Sequence, residues 1–228
     1  MQLPEDATAQ FCPNCGAILA VQLPYERPRG SVMELRRGLK IATFKTRILV
    51  LLMAFVLCLA ITASGAMSNI GASEAQDIVG QFDKIDELLS AVGLQFIYGN
   101  NLMYCVMMFA PVLGPYYGSI VLYSTGRILA ALGVTTGVDP LGLFITLFIY
   151  PHAWLEYLSY SLAISESFWL IYATAKFRGR GLRNELSTAA KIMVICTVLL
   201  LLAAFAEMYV ITLVSTRVGY FISSLKIS

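Results

Sequence analysis

The sequence predicts an all-α membrane protein, a polytopic helix bundle of about five spans with a cytoplasmic N-terminus. Its 228 residues are 58% hydrophobic and only 13% charged, whereas about a quarter of the residues of an average soluble domain are charged. Residues 48–67 form an uncharged run with the ~20 residues that a helix needs to cross a bilayer. Most of the charges fall between such apolar runs. These three observations exclude an ordinary soluble domain.

The N-terminal segment, residues 1–30, contains a Cys-x-x-Cys pair. Cys12 and Cys15, followed by Gly16, are typical of one knuckle of a zinc ribbon. A structural zinc site has four ligands, so the pair supplies half of one. Two copies of the chain could share a zinc ion, a partner protein could supply the other ligands, or the knuckle holds no metal. Zinc is the cofactor that the sequence suggests.

A basic amphipathic helix is predicted over residues 31–47, directly before the first span. Ser31 and Glu34 match a capping box at its start. Its apolar face carries Val32, Leu35, Leu39 and Ala42, and its basic side carries Arg36, Arg37, Lys40 and Arg47. Such a helix lies among lipid headgroups, unless it is simply the basic flank of a span.

The distribution of charge predicts the orientation of the chain. Residues 1–47 hold seven basic and four acidic residues, a net charge of +3. Residues 67–96 hold one basic and five acidic residues, a net charge of −4. Residues 176–191 hold five basic residues and one acidic residue, a net charge of +4. Because Lys/Arg-rich loops remain in the cytoplasm, the first and third segments are expected inside and the second outside. Residues 97–175 must then cross the membrane an odd number of times.

The transmembrane bundle is predicted over residues 48–214, with a C-terminal tail at 215–228. Three crossings suit the apolar length of the middle region. The five predicted spans are 48–67, 97–116, 118–136, a bent helix over 141–175, and 190–214. One long span with a re-entrant segment, which is tolerated where protein buries it, would satisfy the same parity. We expect a multi-pass protein of the cell (plasma) membrane.

A second amphipathic helix is predicted over residues 73–92, on the extracytoplasmic side. Ser73 and Gln76 match a capping box. Apolar residues follow at helical spacing, at Ile78, Phe82, Ile85, Leu89 and Val92. The acidic character of the other face favours docking on protein over docking on lipid.

A few ionisable residues fall inside the apolar blocks. An unpaired charge there costs about 2.5–3.5 kcal/mol or more, so each requires an explanation. His152 and Glu156 are four residues apart and share a helix face. With Glu166 or Glu207 they could form a proton or cation site, but polar contacts that hold helices together are the favoured interpretation. Arg127 is expected at a membrane surface or beside one of these carboxylates.

Small residues indicate where helices approach each other closely. Gly114, Gly118, Gly126 and Gly133 stand on or near small-residue spacing, and the first two form a GxxxG motif. Motifs of phosphate-binding loops, nucleophile elbows and metalloprotease helices are absent from the sequence. We therefore predict no enzymatic activity, and no nucleic-acid binding.

The middle of the chain resembles the stage II sporulation protein M family. The resemblance rests on four segments, Asn100-Asn101, Gly114 to Gly118, Ser124 to Gly133, and Pro151 to Glu156. It implies a five-span membrane protein with its N-terminus inside. The sporulation member of the family is non-catalytic and anchors peptidoglycan-degrading partners, and other members accompany ABC-transporter or ATPase genes.

The favoured function is therefore a non-enzymatic membrane scaffold or accessory subunit, forming a homodimer or larger complex in the lipid bilayer. The alternative is a transporter or permease-like component that moves a proton, cation or small solute through the region of His152 and Glu156. A third hypothesis is an exporter subunit whose ATPase partner docks on residues 176–191.

Overall fold

The computed structural model describes residues 43–81, 93–177 and 182–225, with side chains as far as residue 213. Several predicted features lie outside these residues. They are the knuckle at 1–30 with Cys12 and Cys15, most of the basic helix at 31–47, the second half of the outer helix at 73–92, part of the basic loop at 176–191, and the end of the tail.

Helices account for every regular element in the described part of the chain, which confirms the all-α prediction. In chain order they are α1 (Phe44–Ala66), α2 (72–81), α3 (Leu94–Met108), α4 (Leu113–Thr136), α5 (Pro140–Leu147), α6 (Pro151–Phe177) and α7 (Leu182–Leu225). Thr43 caps the start of α1, where its side chain accepts a hydrogen bond from the Thr46 amide. Asp139 caps α5 in the same way, ahead of Pro140 at the first helical position.

Among the described residues, three helices are long and apolar enough to cross a membrane, namely α1, α4 and the Leu182–Leu213 part of α7. Helices α5 and α6 make a fourth candidate if they are counted as one bent span, with an angle of 88° between them. A bent helix was predicted for this region. Helix α3 has 15 residues, fewer than the ~20 of a typical span. The structure thus provides three or four candidate spans, and the prediction of about five stays a prediction.

The break between α3 and α4 lies at residues 109–112, earlier than the boundary between the predicted spans 97–116 and 118–136. Val112 has a positive φ of 68°, a conformation that β-branched residues rarely adopt. Pro115 instead lies in the first turn of α4, where its missing N–H would have no partner in the helix. The predicted span 97–116 is consequently divided between the end of α3 and the start of α4.

Helix α6 lies at the centre of the bundle, in contact with α1, α3, α4 and α7. Its hydrogen bonds fix the direction of α3. Asn101 bonds to Glu156 at 2.7 Å, and the Ala110 carbonyl accepts from Ser167 at 2.8 Å. Residue numbers therefore increase in the same direction along both helices, so α3 and α6 run parallel.

Helices α1 and α7 both run antiparallel to α6. On α1, Thr62 meets Tyr157 near one end, whereas Arg47 meets Glu166 near the other. On α7, Glu185 shares Arg47 with Glu166. Farther along α7, the Cys196 thiol reaches the Ser159 carbonyl. Since α4 carries Gly118 beside Ile164 and Gly126 beside Thr62, it also opposes α6. Helices α1, α3, α4, α6 and α7 thus alternate in direction along the chain.

Candidate functional site: buried polar clusters between the helices

One buried cluster joins three helices through a single guanidinium group. We name Arg47, Glu166 and Glu185 the ionic triad. Arg47 Nη1 lies 2.9 Å from Glu166 Oε1 and 3.2 Å from Oε2, and Arg47 Nη2 donates to Glu185 Oε2. Only 4% of the Glu166 side chain and 7% of the Glu185 side chain are exposed. The triad therefore holds α1, α6 and α7 together.

Arginine is suited to this position. Its planar fork can serve two carboxylates at once, whereas an ammonium group acts as a point charge. The guanidinium carbon also lies 5.2 Å from the centre of the Trp169 ring, within the range of a cation–π contact. Arg47 was predicted on the basic side of a juxtamembrane amphipathic helix, and Glu185 was counted in the basic loop at residues 176–191. Sequence analysis identified Glu166 as an intramembrane residue in need of a partner, and Arg47 is that partner.

A second cluster, which we name the Asn101 network, links α3 to α6. Asn101 Nδ2 donates to Glu156 Oε1 at 2.7 Å, and the Tyr160 hydroxyl donates to Asn101 Oδ1 at 3.1 Å. Both ends of the Asn101 amide are thus bonded to side chains of α6. Glu207 lies on α7 and is partly buried. The three ion pairs found in the described part of the chain involve neither Glu156 nor Glu207.

His152 is separate from this network. It lies one turn before Glu156 on α6, as predicted, but the partner that the structure gives to Glu156 is Asn101. The His152 ring stacks on Tyr150 with ring centres 5.8 Å apart. Its Nδ1 atom is buried and has no hydrogen-bond partner among the described residues. Asn101 was part of the family resemblance, but sequence analysis gave it no role in the polar site.

Arg127 is also apart from the intramembrane carboxylates. It pairs with Glu74 of α2, and both side chains are partly exposed. Close by, Ala75 of α2 packs with Ile70 against Ala130 and Ala131 of α4. Helix α2 therefore contacts α4 through Ala75, and Ile78 and Val79 pack against the same cluster.

The four predicted packing glycines occupy different kinds of contact. A Cβ atom on Gly126 would overlap the Thr62 carbonyl oxygen of α1, and it would lie 2.8 Å from the Gly65 Cα atom. A Cβ on Gly118 would lie 2.9 Å from Ile164 Cδ1 of α6. The other two glycines make local contacts: Gly114 lies against the Met108 carbonyl, and Gly133 lies against Val138 and Pro140. Gly65, which sequence analysis missed, completes the close crossing of α1 and α4.

A metal site would need ligands from the N-terminal knuckle. The described residues contain no group of three or more His, Cys, Asp or Glu side chains that could hold a metal ion. Cys12 and Cys15 lie outside those residues, so zinc binding stays a prediction.

Comparison with known proteins identifies one similarity. The sequence model of the family described as Stage II sporulation protein M matches residues 46–211. No curated protein and no solved structure matches the chain. The matched region contains the ionic triad, the Asn101 network and the close crossing at Gly65 and Gly126. The resemblance found in the sequence is thereby confirmed for most of the chain.

Proposed function

The chain belongs to the stage II sporulation protein M family, and on that premise we propose that it is a non-enzymatic membrane scaffold or accessory subunit. It works as a homodimer or larger assembly that holds other proteins at the membrane. The observation that carries this proposal is that polar side chains between the helices bond to one another. The triad residues bond to one another, Glu156 bonds to Asn101, and the Tyr157 hydroxyl donates to Thr62. Polar side chains that bond to one another between helices make a bundle rigid.

The proposed topology has five crossings of the plasma membrane, with the N-terminus in the cytoplasm. The alternating directions of α1, α3, α4, α6 and α7 support it. Helix α3 and its following turn support it as well, because Ala110 bonds to Ser167, next to the Glu166 of the triad. The short α3 therefore reaches the end of the bundle where α1 begins. The +3 and +4 segments then lie on one side and the −4 segment on the other.

Contacts outside the bundle belong to the cytoplasmic segments in this proposal. Cys12 and Cys15 bind zinc together with the same pair of a second copy, because four thiolates complete a tetrahedral site. The basic segment at residues 176–191 is the surface on which an ATPase or another cytoplasmic partner docks.

The scaffold proposal predicts a defined, zinc-dependent assembly. Protein extracted in a mild detergent should elute as a dimer or larger complex with about half an equivalent of zinc per chain. The double variant Cys12→Ser/Cys15→Ser should lose the zinc and shift to smaller mass, because the shared site is gone. Mass by light scattering and zinc by elemental analysis measure both effects.

The matched control is Cys58→Ser, which changes a buried thiol of α1 and leaves the knuckle intact. It should keep both the mass and the zinc content. A wild-type chain that is monomeric in every mild detergent, and co-purifies with no other protein, would contradict the scaffold proposal.

Glu156 and Glu207 favour transport as the second candidate function. Two partly buried carboxylates lie on α6 and α7, and neither takes part in the ion pairs of the described residues. Intramembrane carboxylates mark proton and cation pathways in many transporters. In this alternative, Glu156 binds and releases the transported proton or cation. Asn101 and Tyr160 are its neighbours in the site.

Proteoliposomes separate the two functions. Under the scaffold proposal, vesicles containing the wild-type protein should hold a proton or sodium gradient as long as empty vesicles do. Dissipation that Glu156→Gln abolishes, and that Glu74→Gln leaves unchanged, would establish the transport alternative. Glu74 is the matched control because it is a carboxylate paired at the exposed end of the bundle. A fluorescent pH or sodium indicator inside the vesicles gives the measurement.

A further inference from the structure

The three cysteines of the helical bundle are all buried, and two of them contact the same backbone carbonyl oxygen. Cys105 Sγ lies 3.8 Å from the Ser159 carbonyl oxygen, and Cys196 Sγ lies 3.5 Å from the same atom. Cys105 and Cys196 therefore share one hydrogen-bond acceptor on α6. Cys58 is separate, since its sulfur accepts from the Ser161 hydroxyl at 3.6 Å. All three thiols are free in the structure.

The meeting thiols belong to helices that are far apart in the sequence. Cys105 is on α3 and Cys196 is on α7, and both lie against the same turn of α6. Both sulfur atoms lie within 3.8 Å of one carbonyl oxygen, so the two thiols are neighbours between the same three helices. We propose that Cys105 and Cys196 form a reversible disulfide that locks α3 to α7 when the membrane is exposed to a peroxide.

The chemistry of the lock balances with peroxide as the oxidant. One thiol attacks a peroxide oxygen and becomes a sulfenic acid, the O–O bond breaks, and the thiol proton leaves with the departing oxygen as one water or alcohol. The second thiol then attacks the sulfenic sulfur, which forms the S–S bond and releases one water. Two thiols lose two electrons and two protons in total. Thiol–disulfide exchange with a small dithiol reverses the lock. A small neutral peroxide is the suitable oxidant, since both cysteines are only 1% exposed.

The position of the lock gives it a consequence for the bundle. Cys105 is one turn from Asn101 on α3, and Cys196 is on the same helix as Glu207. A covalent link between α3 and α7 therefore restrains α3, which carries the Asn101 partner of Glu156. In the oxidised protein, α3 and α7 no longer move relative to each other at the position of the disulfide.

Oxidation of the full-length protein in membranes tests the lock. The background variant Cys12→Ser/Cys15→Ser removes the N-terminal pair, which would oxidise independently. After treatment with hydrogen peroxide and digestion without reductant, mass spectrometry should find one cross-linked peptide pair containing Cys105 and Cys196. Cys58 should still react with a maleimide after denaturation. The thermal unfolding midpoint should rise on oxidation and return to its first value with dithiothreitol.

Single variants complete the test. In the same background, Cys58→Ser should leave the cross-link unchanged, whereas Cys105→Ser and Cys196→Ser should each abolish it and the rise in Tm. Should one of these two variants fail to fold, the other variant and the peptide map still decide. Three thiols that all remain maleimide-reactive after peroxide, or a cross-link that contains Cys58, would overturn the proposal.

Discussion

Replacing Arg47 with methionine should lower the free energy of unfolding by about 3–5 kcal/mol, the range for removing one partner of a buried ion pair. Glu166 and Glu185 would be left beside each other, almost fully buried, without their shared cation. The contacts between α1, α6 and α7 should weaken together, because Arg47 bonds to both of the other helices. The change is measured by unfolding the protein with a denaturant in a mild detergent while far-UV circular dichroism monitors the helix content.

Three further variants show that the effect belongs to the triad. Arg47→Lys should be intermediate, since an ammonium group keeps the charge and loses the fork. The triple variant Arg47→Met/Glu166→Gln/Glu185→Gln should recover much of the lost stability, because no charge is left buried and unpaired. Arg127→Met is the matched control. Its partner Glu74 is 51% exposed, so the loss should be about 1 kcal/mol or less. Equal losses in Arg47→Met and Arg127→Met would contradict the structural role of the triad.

Replacing Gly126 with alanine should destabilise the bundle by about 2–3 kcal/mol, the upper part of the range for an overpacked core. The added Cβ would overlap the Thr62 carbonyl and crowd Gly65, and both obstacles are backbone atoms of α1. Backbone cannot turn aside as a flexible side chain can, so α1 and α4 must move apart. The same unfolding assay measures the loss, and Gly65→Ala should give a similar one.

The matched control for Gly126 is Gly99, which lies inside α3 with nothing within 4 Å of an added Cβ. Gly99→Ala should leave the protein unchanged or stabilise it by about 0.5–1 kcal/mol, because alanine favours the helix. The two substitutions are chemically identical, so a difference between them reports the crossing of α1 and α4. If Gly126→Ala unfolds at the same denaturant concentration as Gly99→Ala, the close crossing is wrong.

Composition and periodicity predicted the helices, because each depends on neighbours in the sequence. The ionic triad depends on contacts between distant segments and was out of reach. Glu166 was recognised as a carboxylate that needs a partner. Arg47, however, fits the basic face of a local amphipathic pattern equally well. Only the packing of α1 against α6 and α7 decides between lipid headgroups and a buried carboxylate pair.

The boundary between α3 and α4 shows a different limit. Gly114-Pro115 is the stronger local turn signal, but proline in the first turn of a helix is compatible with it. Pro111 lies at the actual break between the two helices. The next residue, Val112, has a positive φ, which its residue type disfavours. Gly65 was missed for the same reason that Arg47 was. Its importance depends on Gly126, which lies on another helix.

The ionic triad also has a consequence for the biogenesis of the protein. Arg47 enters the membrane with the first helix, and its two partners lie 119 and 138 residues later in the chain. Because synthesis proceeds from the N-terminus, α1 must wait at the membrane with its arginine uncompensated until α6 and the start of α7 have been made. A chain that ends before residue 185 lacks the last contact. The ionic triad therefore closes only after synthesis has reached α7, so the packing of α1 is completed late.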